Sequence, residues 1–331
     1  MKGFNHLVSL LLLLFFTSPV LAENPATVKT LKITVLSTML TEFQGVGEWG
    51  FAALVEADGN SILFDTGARP ETVLRNAAEL GVNLVDVTDV VISHNHWDHT
   101  GGLVALRREL KRKNPEALAR AHGGKGIFLP REIDPKASQA MSRLPQDYLV
   151  DVHTVRSEYE ALGGVFAVHG QPRQLQPGIW MSGPVPRVHS EKNWTPFSSI
   201  RVGETLTEDT VPEDQALFVA TEQGTVILTG CGHAGIVNIM EFARKVLPNR
   251  PILAVMGGFH LLAATPGQVK WTGEKFKAFG VESVVGAHCT GINPVTDLRN
   301  TGGFNRQSMV VGSVGATFTL GEGIRHGPLT N

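Results

Sequence analysis

Three histidines and one aspartate fall inside six positions of the stretch Ser93-His94-Asn95-His96-Trp97-Asp98-His99-Thr100-Gly101-Gly102, and few folds can accommodate that density of ligand-type side chains. Upstream, Val87 to Ile92 is an apolar, β-branched run that reads as a buried strand. Downstream, Gly101-Gly102 opens a helical stretch from Leu103 to Lys111. The cluster therefore sits on a strand-to-helix loop at a strand's carboxyl end, where ligands of α/β sheets collect. In extended chain, residues two apart point the same way, so His94 and His96 can converge on one ion. Where the chain turns into the helix, Asp98 and His99 swing round together toward a neighbouring ion. Neutral imidazole and carboxylate suit zinc, iron or manganese, with magnesium the harder alternative.

This signature resembles that of the metallo-β-lactamase superfamily. The resemblance implies an α/β fold, an αββα sandwich with a mono- or dinuclear metal site at one edge. In that superfamily an Asp after an early strand supports the metal loop through hydrogen bonds. Here it is Asp65, in Asp65-Thr66-Gly67 at the end of the strand Ser61 to Phe64. That strand follows Phe51 to Glu56 across the hairpin signal Asp58-Gly59-Asn60. Leu31 to Leu36 supplies a first strand, and Pro70 to Leu80 a helix closed by Gly81. Between them, Thr41 to Gly50 reads as a loop over the site, where Phe43 and Trp49 either pack or line a pocket.

The second half repeats the strand-loop-helix logic. Ala216 to Thr221 and Thr225 to Thr229 form a hairpin, followed by Gly230-Cys231-Gly232-His233-Ala234-Gly235 and a helix from Ile236 to Leu247. Pro251 to Met256 ends in Gly257-Gly258-Phe259-His260. A helix from Gly267 to Phe279 and a strand from Val281 to Val285 lead to Gly286-Ala287-His288-Cys289-Thr290-Gly291, and the tail from Ser308 to Leu320 holds closing strands. The superfamily takes its last ligand from a His after a late strand, which here is His288. Most members place a bridging Asp where this chain has Cys231, so His233 is read as the third ligand of the first ion. His189 is the fallback, because many members carry a ligand His near there. His260 ends a strand on the same rim and is a candidate for substrate contact or proton delivery.

The four motifs together resemble one branch of the superfamily, the branch similar to the archaeal 7,8-dihydropterin-6-methyl-4-(β-D-ribofuranosyl)aminobenzene 5′-phosphate synthase. The likeness spans about residues 31–320. One scaffold hosts many chemistries, so three readings stand. The first is a hydrolase with two divalent ions, zinc foremost, one on His94, His96 and His233 and the other on Asp98, His99 and His288. A metal-activated hydroxide would attack a small-molecule ester, lactone, amide or phosphoester, with Asp98 also orienting the nucleophile. The second is a synthase-type transferase, in which Arg187 offers a grip on phosphate. The third is a metal-holding binding protein of the periplasm.

Residues 1–22 stand apart. Lys2 precedes a short apolar core, Leu7 to Phe16, and Pro19-Val20-Leu21-Ala22 offers permissive residues before a cut. This reads as a secretory signal peptide cleaved after Ala22, leaving a metallo-β-lactamase-like domain over 23–331 that is periplasmic or secreted. The apolar core falls short of the ~20 residues of a membrane span. With 29 Lys+Arg against 31 Asp+Glu the composition argues against a nucleic-acid partner. The basic cluster Arg107, Arg108, Lys111, Arg112 and Lys113 reads as the wet face of a helix. The two cysteines, Cys231 and Cys289, each lie beside a candidate ligand. They read as a disulfide, as buried thiols, or as one thiolate in the metal site.

Residues 113 to 180 form an insertion-rich middle region, where substrate recognition is expected to differ. Ile127 to Leu129, Val165 to Val168 and Gly178 to Met181 read as short strands, and Ala137 to Leu144 as a short helix. His122, His153 and His169 lack ligand spacing and read as surface or packing residues. Residues 190 to 215 read as an acidic, loop-like flap.

Overall fold

The computed structural model describes residues 26–134, 151–194 and 198–330. The expected signal peptide and the expected helix Ala137 to Leu144 lie outside the described residues. Among those described, no helix is long and apolar enough to cross a membrane.

Two large sheets face each other. The first half begins with β1 (Leu31–Ser37), β2 (Ala52–Ala57) and β3 (Asn60–Phe64), then α1 (Thr72–Glu79) and β4 (Asp89–Val91). The short α2 (Trp97–Thr100) and α3 (Leu103–Leu110) follow, then β5 (Arg120–Gly124), β6 (Arg131–Ile133), α4 (Val152–Ala161) and β7 (Val165–His169). The second half runs through β8 (Arg173–Gln176), β9 (Ile179–Met181), β10 (Ser198–Val202), β11 (Thr205–Glu208), β12 (Ala216–Ala220), β13 (Thr225–Thr229) and α5 (Ile236–Val246). It closes with β14 (Ile252–Gly257), α6 (Pro266–Phe279), β15 (Ser283–Gly286), α7 (Ile292–Gly302), β16 (Met309–Val311), β17 (Thr317–Thr319) and β18 (Gly323–Arg325). The 8-stranded sheet is ordered β18-β17-β1-β2-β3-β4-β5-β7, and the 7-stranded sheet β16-β15-β14-β13-β12-β9-β8.

Alternation within the strands builds four layers. On β2 and β3, Ala53, Val55, Ile62 and Phe64 point between the sheets, against Leu217, Val219, Val226 and Leu228 of the other sheet. Their neighbours Leu54 and Leu63 point outward and pack on Val73, Ala77, Leu103 and Leu106 of α1 and α3. On the far side Phe218, Ile227 and Val255 pack on Ile239, Met240 and Phe276 of α5 and α6. Period-2 side chains with both faces covered give a helix layer, two sheets and a helix layer, the expected αββα sandwich. Each fully buried Leu, Ile or Phe contributes on the order of 1.5–3 kcal/mol.

The middle region departs from expectation. No strand forms over Ile127 to Leu129: Ile127 and Phe128 lie in a turn and Leu129 follows in irregular chain. The strand beside β4 is β5, an Arg-Ala-His-Gly-Gly run with little apolar pattern. It pairs in parallel with β4 and β7, and it is placed by tertiary contact: a Cβ at Gly124 would collide with the Glu213 carbonyl oxygen. The expected flap over 190–215 carries β10 and β11, which join β6 in a separate 3-stranded sheet. Arg107 does not face solvent. It is 4% exposed and donates to the carbonyls of Pro115 and Ala117 at 2.6 and 2.5 Å, stitching α3 to the chain that enters β5.

Candidate metal centre

Every candidate ligand except the fallback His189 lies at the carboxyl end of a strand with a parallel neighbour. β3 runs parallel to β4, and β13, β14 and β15 run parallel in the other sheet. Asp65 follows β3, and His94, His96, Asp98 and His99 follow β4. Cys231 and His233 follow β13, His260 follows β14, and His288 and Cys289 follow β15. The two sheets thus bring five loops to one rim.

Asp65 is wholly buried and holds the first loop from beneath. Its Oδ1 accepts from the Ser93 backbone N–H at 2.7 Å, and its Oδ2 accepts from Ser93 Oγ and His99 Nδ1, each at 2.7 Å. Gly230 of the opposite sheet presses on this knot. A Cβ there would overlap Ser93 Oγ and come within 2.6 Å of Asp65 Oδ2, so the turn before Cys231 requires glycine.

These bonds set the ring tautomers. The Ser93 hydroxyl gives its proton to Asp65, so His94 Nδ1, 2.9 Å from Ser93 Oγ, must be the donor in that pair. His99 Nδ1 donates to Asp65, and His233 Nδ1 donates to the Asn193 carbonyl at 2.5 Å. Three rings give their Nδ1 proton to an inward acceptor and turn Nε2 into one cleft. This is the arrangement that orients metal-binding histidines. His94 Nε2 lies 3.0 Å from His96 Nδ1. The His233 ring is 4.7 Å from that of His94 and 4.9 Å from that of His96, centroid to centroid, and its Nε2 has no hydrogen-bond partner. On the other side His99 Nε2 is 3.1 Å from Cys231 Sγ and 3.8 Å from Asp98 Oδ2. His288 Nε2 is 3.2 Å from Asp98 Oδ2, and neither of its ring nitrogens makes a hydrogen bond.

The electrostatics match. Burial, reinforced by the crowded rings of His99, His96 and His233, holds His94 far below the ordinary imidazole range. Burial lowers His96 to about 4. Burial also lowers His233, with His260 and His96 beside it. Burial alone would raise Asp98, yet His99 and His288 keep it below the usual carboxylate range. Burial works to lower His99, but Asp65 and Asp98 carry it up to about 9. His94, His96 and His233 stay neutral and keep their lone pairs, and His99 must give up a proton to an incoming ion. With the Asp98 carboxylate and several nitrogens without partners inside the protein, the cleft fits divalent cations. Asp98, His99, Cys231 and His288 place one ligand atom each within 4.8 Å of one another, and so do His94, Cys231 and His233.

The remaining candidates fall differently. His189 donates its backbone N–H to Asn238 Oδ1 at 2.7 Å and sets its ring 6.0 Å from Trp271, and it joins none of the ligand groups found among the described residues. Arg187 donates to the carbonyls of Thr210 and Val211 and lies over the Trp194 ring at 5.6 Å. His260 sits 4.6 Å from the His233 ring with Nδ1 unpartnered. Cys231 and Cys289 are free, buried thiols. His122 is held by Asp89 at 2.8 Å, away from the ligand groups. Trp49, 42% exposed, stands with its ring 5.1 Å from that of His288 at the mouth of the cleft. Glu213 and Arg131 carried no local signal in the sequence. Glu213 accepts from the Asn95 N–H at 3.2 Å and from Arg131 at 2.8 Å, bracing the turn between the first two histidines.

An αββα sandwich with a histidine-rich cleft where its two sheets meet defines a class of metal-dependent enzyme folds. The family model described as the metallo-beta-lactamase superfamily matches residues 50–237, and the chain belongs to that superfamily. It is 31% identical over 251 residues to the 7,8-dihydropterin-6-methyl-4-(beta-D-ribofuranosyl)-aminobenzene-5'-phosphate synthase of Methanocaldococcus jannaschii, a match covering 73% of this chain and 81% of the relative. Among solved structures it resembles Tm1679, a metal-dependent hydrolase of the beta-lactamase superfamily. That likeness has a TM-score of 0.69 and 26% identity, over 87% of this chain and 98% of the other. The fold also matches the metallo-beta-lactamase fold protein YhfI of Bacillus subtilis, with a TM-score of 0.51 and 12% identity, over 88% of this chain and all of the other.

Proposed function

We propose that this protein is an exported metal-dependent hydrolase with two divalent ions, zinc foremost. One is held by His94, His96 and His233, the other by Asp98, His99 and His288. The observation that carries this reading is the shared tautomer: His94, His99 and His233, from loops of both sheets, each commit Nδ1 inward and offer Nε2 to the same cleft. When bound, such ions supply Lewis acidity, which acidifies water toward neutrality and polarises a substrate's oxygen. The chain supplies the rest. Asp65 and Ser93 hold the rings in place, and the Asp98 carboxylate at 3.2 Å from His288 Nε2 can also orient a nucleophile. Trp49 gives a substrate an apolar wall beside His288.

The test is a screen of the metal-depleted chain, before and after adding Zn2+ or Mn2+, against lactones, phosphodiesters, amides and β-lactams. Metal-dependent turnover of one of these classes is expected, and none with any of them would sink the hydrolase reading. Identity to the archaeal synthase favours a second reading, transfer between a pterin ester and an aminobenzene ribotide. Condensation that requires the pyrophosphate ester would establish it. Against it, Arg187 already commits part of its guanidinium to the chain's own carbonyls. Export is tested by the amino-terminal sequence of the protein recovered from its native cells, which should begin at Glu23.

A further inference from the structure

The six residues assigned to the two ions leave a second set of donors unused. Cys231 and Cys289 are the chain's two cysteines, 2% and 0% exposed, and both are free thiols. They stand at the carboxyl ends of β13 and β15, on either side of β14, whose own end carries His260. Cys289 Sγ donates to the Cys231 carbonyl at 3.7 Å, so the two turns are tied together. One ligand atom from each of Cys231, His260 and Cys289 lies within 4.8 Å of the others. A Cβ at Gly258 would strike the Gly230 carbonyl oxygen and come within 2.7 Å of Cys289 Sγ, so this glycine lets the turns and the second sulfur close together. His260 holds a left-handed backbone conformation, φ 49°, unusual for a residue with a Cβ, and its buried Nδ1 has no hydrogen-bond partner. A strained residue that carries an unpaired ring nitrogen and shares one group with two thiols is built to meet something there.

Two sulfurs and one imidazole make a softer donor set than the neighbouring cleft. Three such protein ligands suit a tetrahedral, thiophilic ion that completes its shell with a further ligand. We propose that Cys231, His260 and Cys289 form a third metal site that takes one thiophilic ion, with the Cys231 sulfur shared with the adjoining centre. Each thiol releases its proton to solvent as its sulfur takes the ion. His260 is then a ligand, in place of the proton-delivery role suggested by its position in the sequence. The inference rests on the metal-centre reading only through the shared sulfur.

The test uses the full chain, reduced and stripped of metal, titrated with Cd2+. Ions per chain are counted by native mass spectrometry, and sulfur ligation is read from near-ultraviolet thiolate-to-cadmium absorption. Roughly three ions are expected for the wild type and roughly two for Cys289→Ser and His260→Asn, with Cys289→Ser keeping about half of the thiolate absorption. His260→Asn tolerates the left-handed backbone and keeps both thiols, so it carries the test if Cys289→Ser does not fold. Equal ion counts and equal absorption in the wild type and both variants would overturn the proposal and leave the two-ion centre standing. So would a disulfide, seen as the loss of two hydrogens in the mass of the chain isolated without reductant. A wild type that binds no Cd2+ at all would overturn both readings.

Discussion

Replacing Asp65 by asparagine tests the support of the candidate centre without touching any proposed ligand. The amide would keep one oxygen for the Ser93 N–H but would turn an NH2 group toward Ser93 Oγ and His99 Nδ1, both now donors to Oδ2 at 2.7 Å. Two buried hydrogen bonds to a charged group are lost, at about 1.5–3 kcal/mol each. At roughly 2 °C per kcal/mol, a fall in Tm of roughly 6–12 °C follows. Both bonds bear on a proposed ligand, since Oδ2 holds His99 directly and fixes the Ser93 hydroxyl that takes the His94 Nδ1 proton, and losing such a support costs about 10–100-fold in metal binding. The assay is a competition titration of Zn2+ against a chromophoric chelator, with thermal unfolding in parallel. Asp89→Asn is the control: Asp89 also accepts from a histidine, His122, at 2.8 Å and from Arg120 at 2.7 Å, but away from the ligand groups. Asp89→Asn should lower Tm and leave Zn2+ affinity alone. If folded Asp65→Asn binds Zn2+ within about twofold of the wild type, the claim that Asp65 orients a ligand is refuted.

Further outcomes follow from the same geometry. His233→Ala should lower the metal content of the purified chain by about one ion, by elemental analysis, and unchanged content would remove His233 from the ligand set. Gly230→Ala would force a methyl into Ser93 Oγ and Asp65; a loss of at least about 1–3 kcal/mol is expected in denaturant unfolding, and wild-type stability would show that the two loops do not press together. Glu191 caps the start of α5 through the backbone N–H groups of Val237 and Asn238, at 3.2 and 2.9 Å, and burial raises it from 4.5 to about 7. The folded chain therefore holds more protons than the unfolded chain between those values. Its contribution is full below pH 4.5 and is lost as pH rises through about 7, on the order of 3 kcal/mol. Glu191→Gln should flatten the fall in stability between about pH 5 and pH 8, and an equally steep fall in the variant would contradict this.

Much of the frame can be read from the residues. Alternation in Phe51 to Glu56 and Ser61 to Phe64, and the apolar runs at Ala216, Thr225 and Pro251, mark strands that lie within a residue or two of where they are found. These signals are local, because a strand buried on one or both faces must carry its apolar side chains at fixed intervals. The same holds for the histidine cluster after β4 and for the Asp that ends β3. Signals failed where the environment, not the side chains, selects the conformation. β5 has almost no apolar pattern and is a strand because parallel neighbours on both sides satisfy its backbone. Arg107 reads as a wet-face residue and is buried, because carbonyls 8 and 10 residues away accept its guanidinium.

Spacing along one stretch of chain sets two histidines and an Asp-His pair on a single loop, and the later strands end in glycine-rich turns. Which residues stand opposite them was left to the packing of the whole chain. That packing brought His233 and His288 to the cleft, turned His189 onto Trp271, and set Cys231 against His99 across 132 positions of chain. A ligand set of this kind is closed by loops from two sheets. Their relative placement follows from Phe64, Val91, Leu228 and Met256 meeting between the sheets, and no local pattern records which loop ends that contact brings face to face.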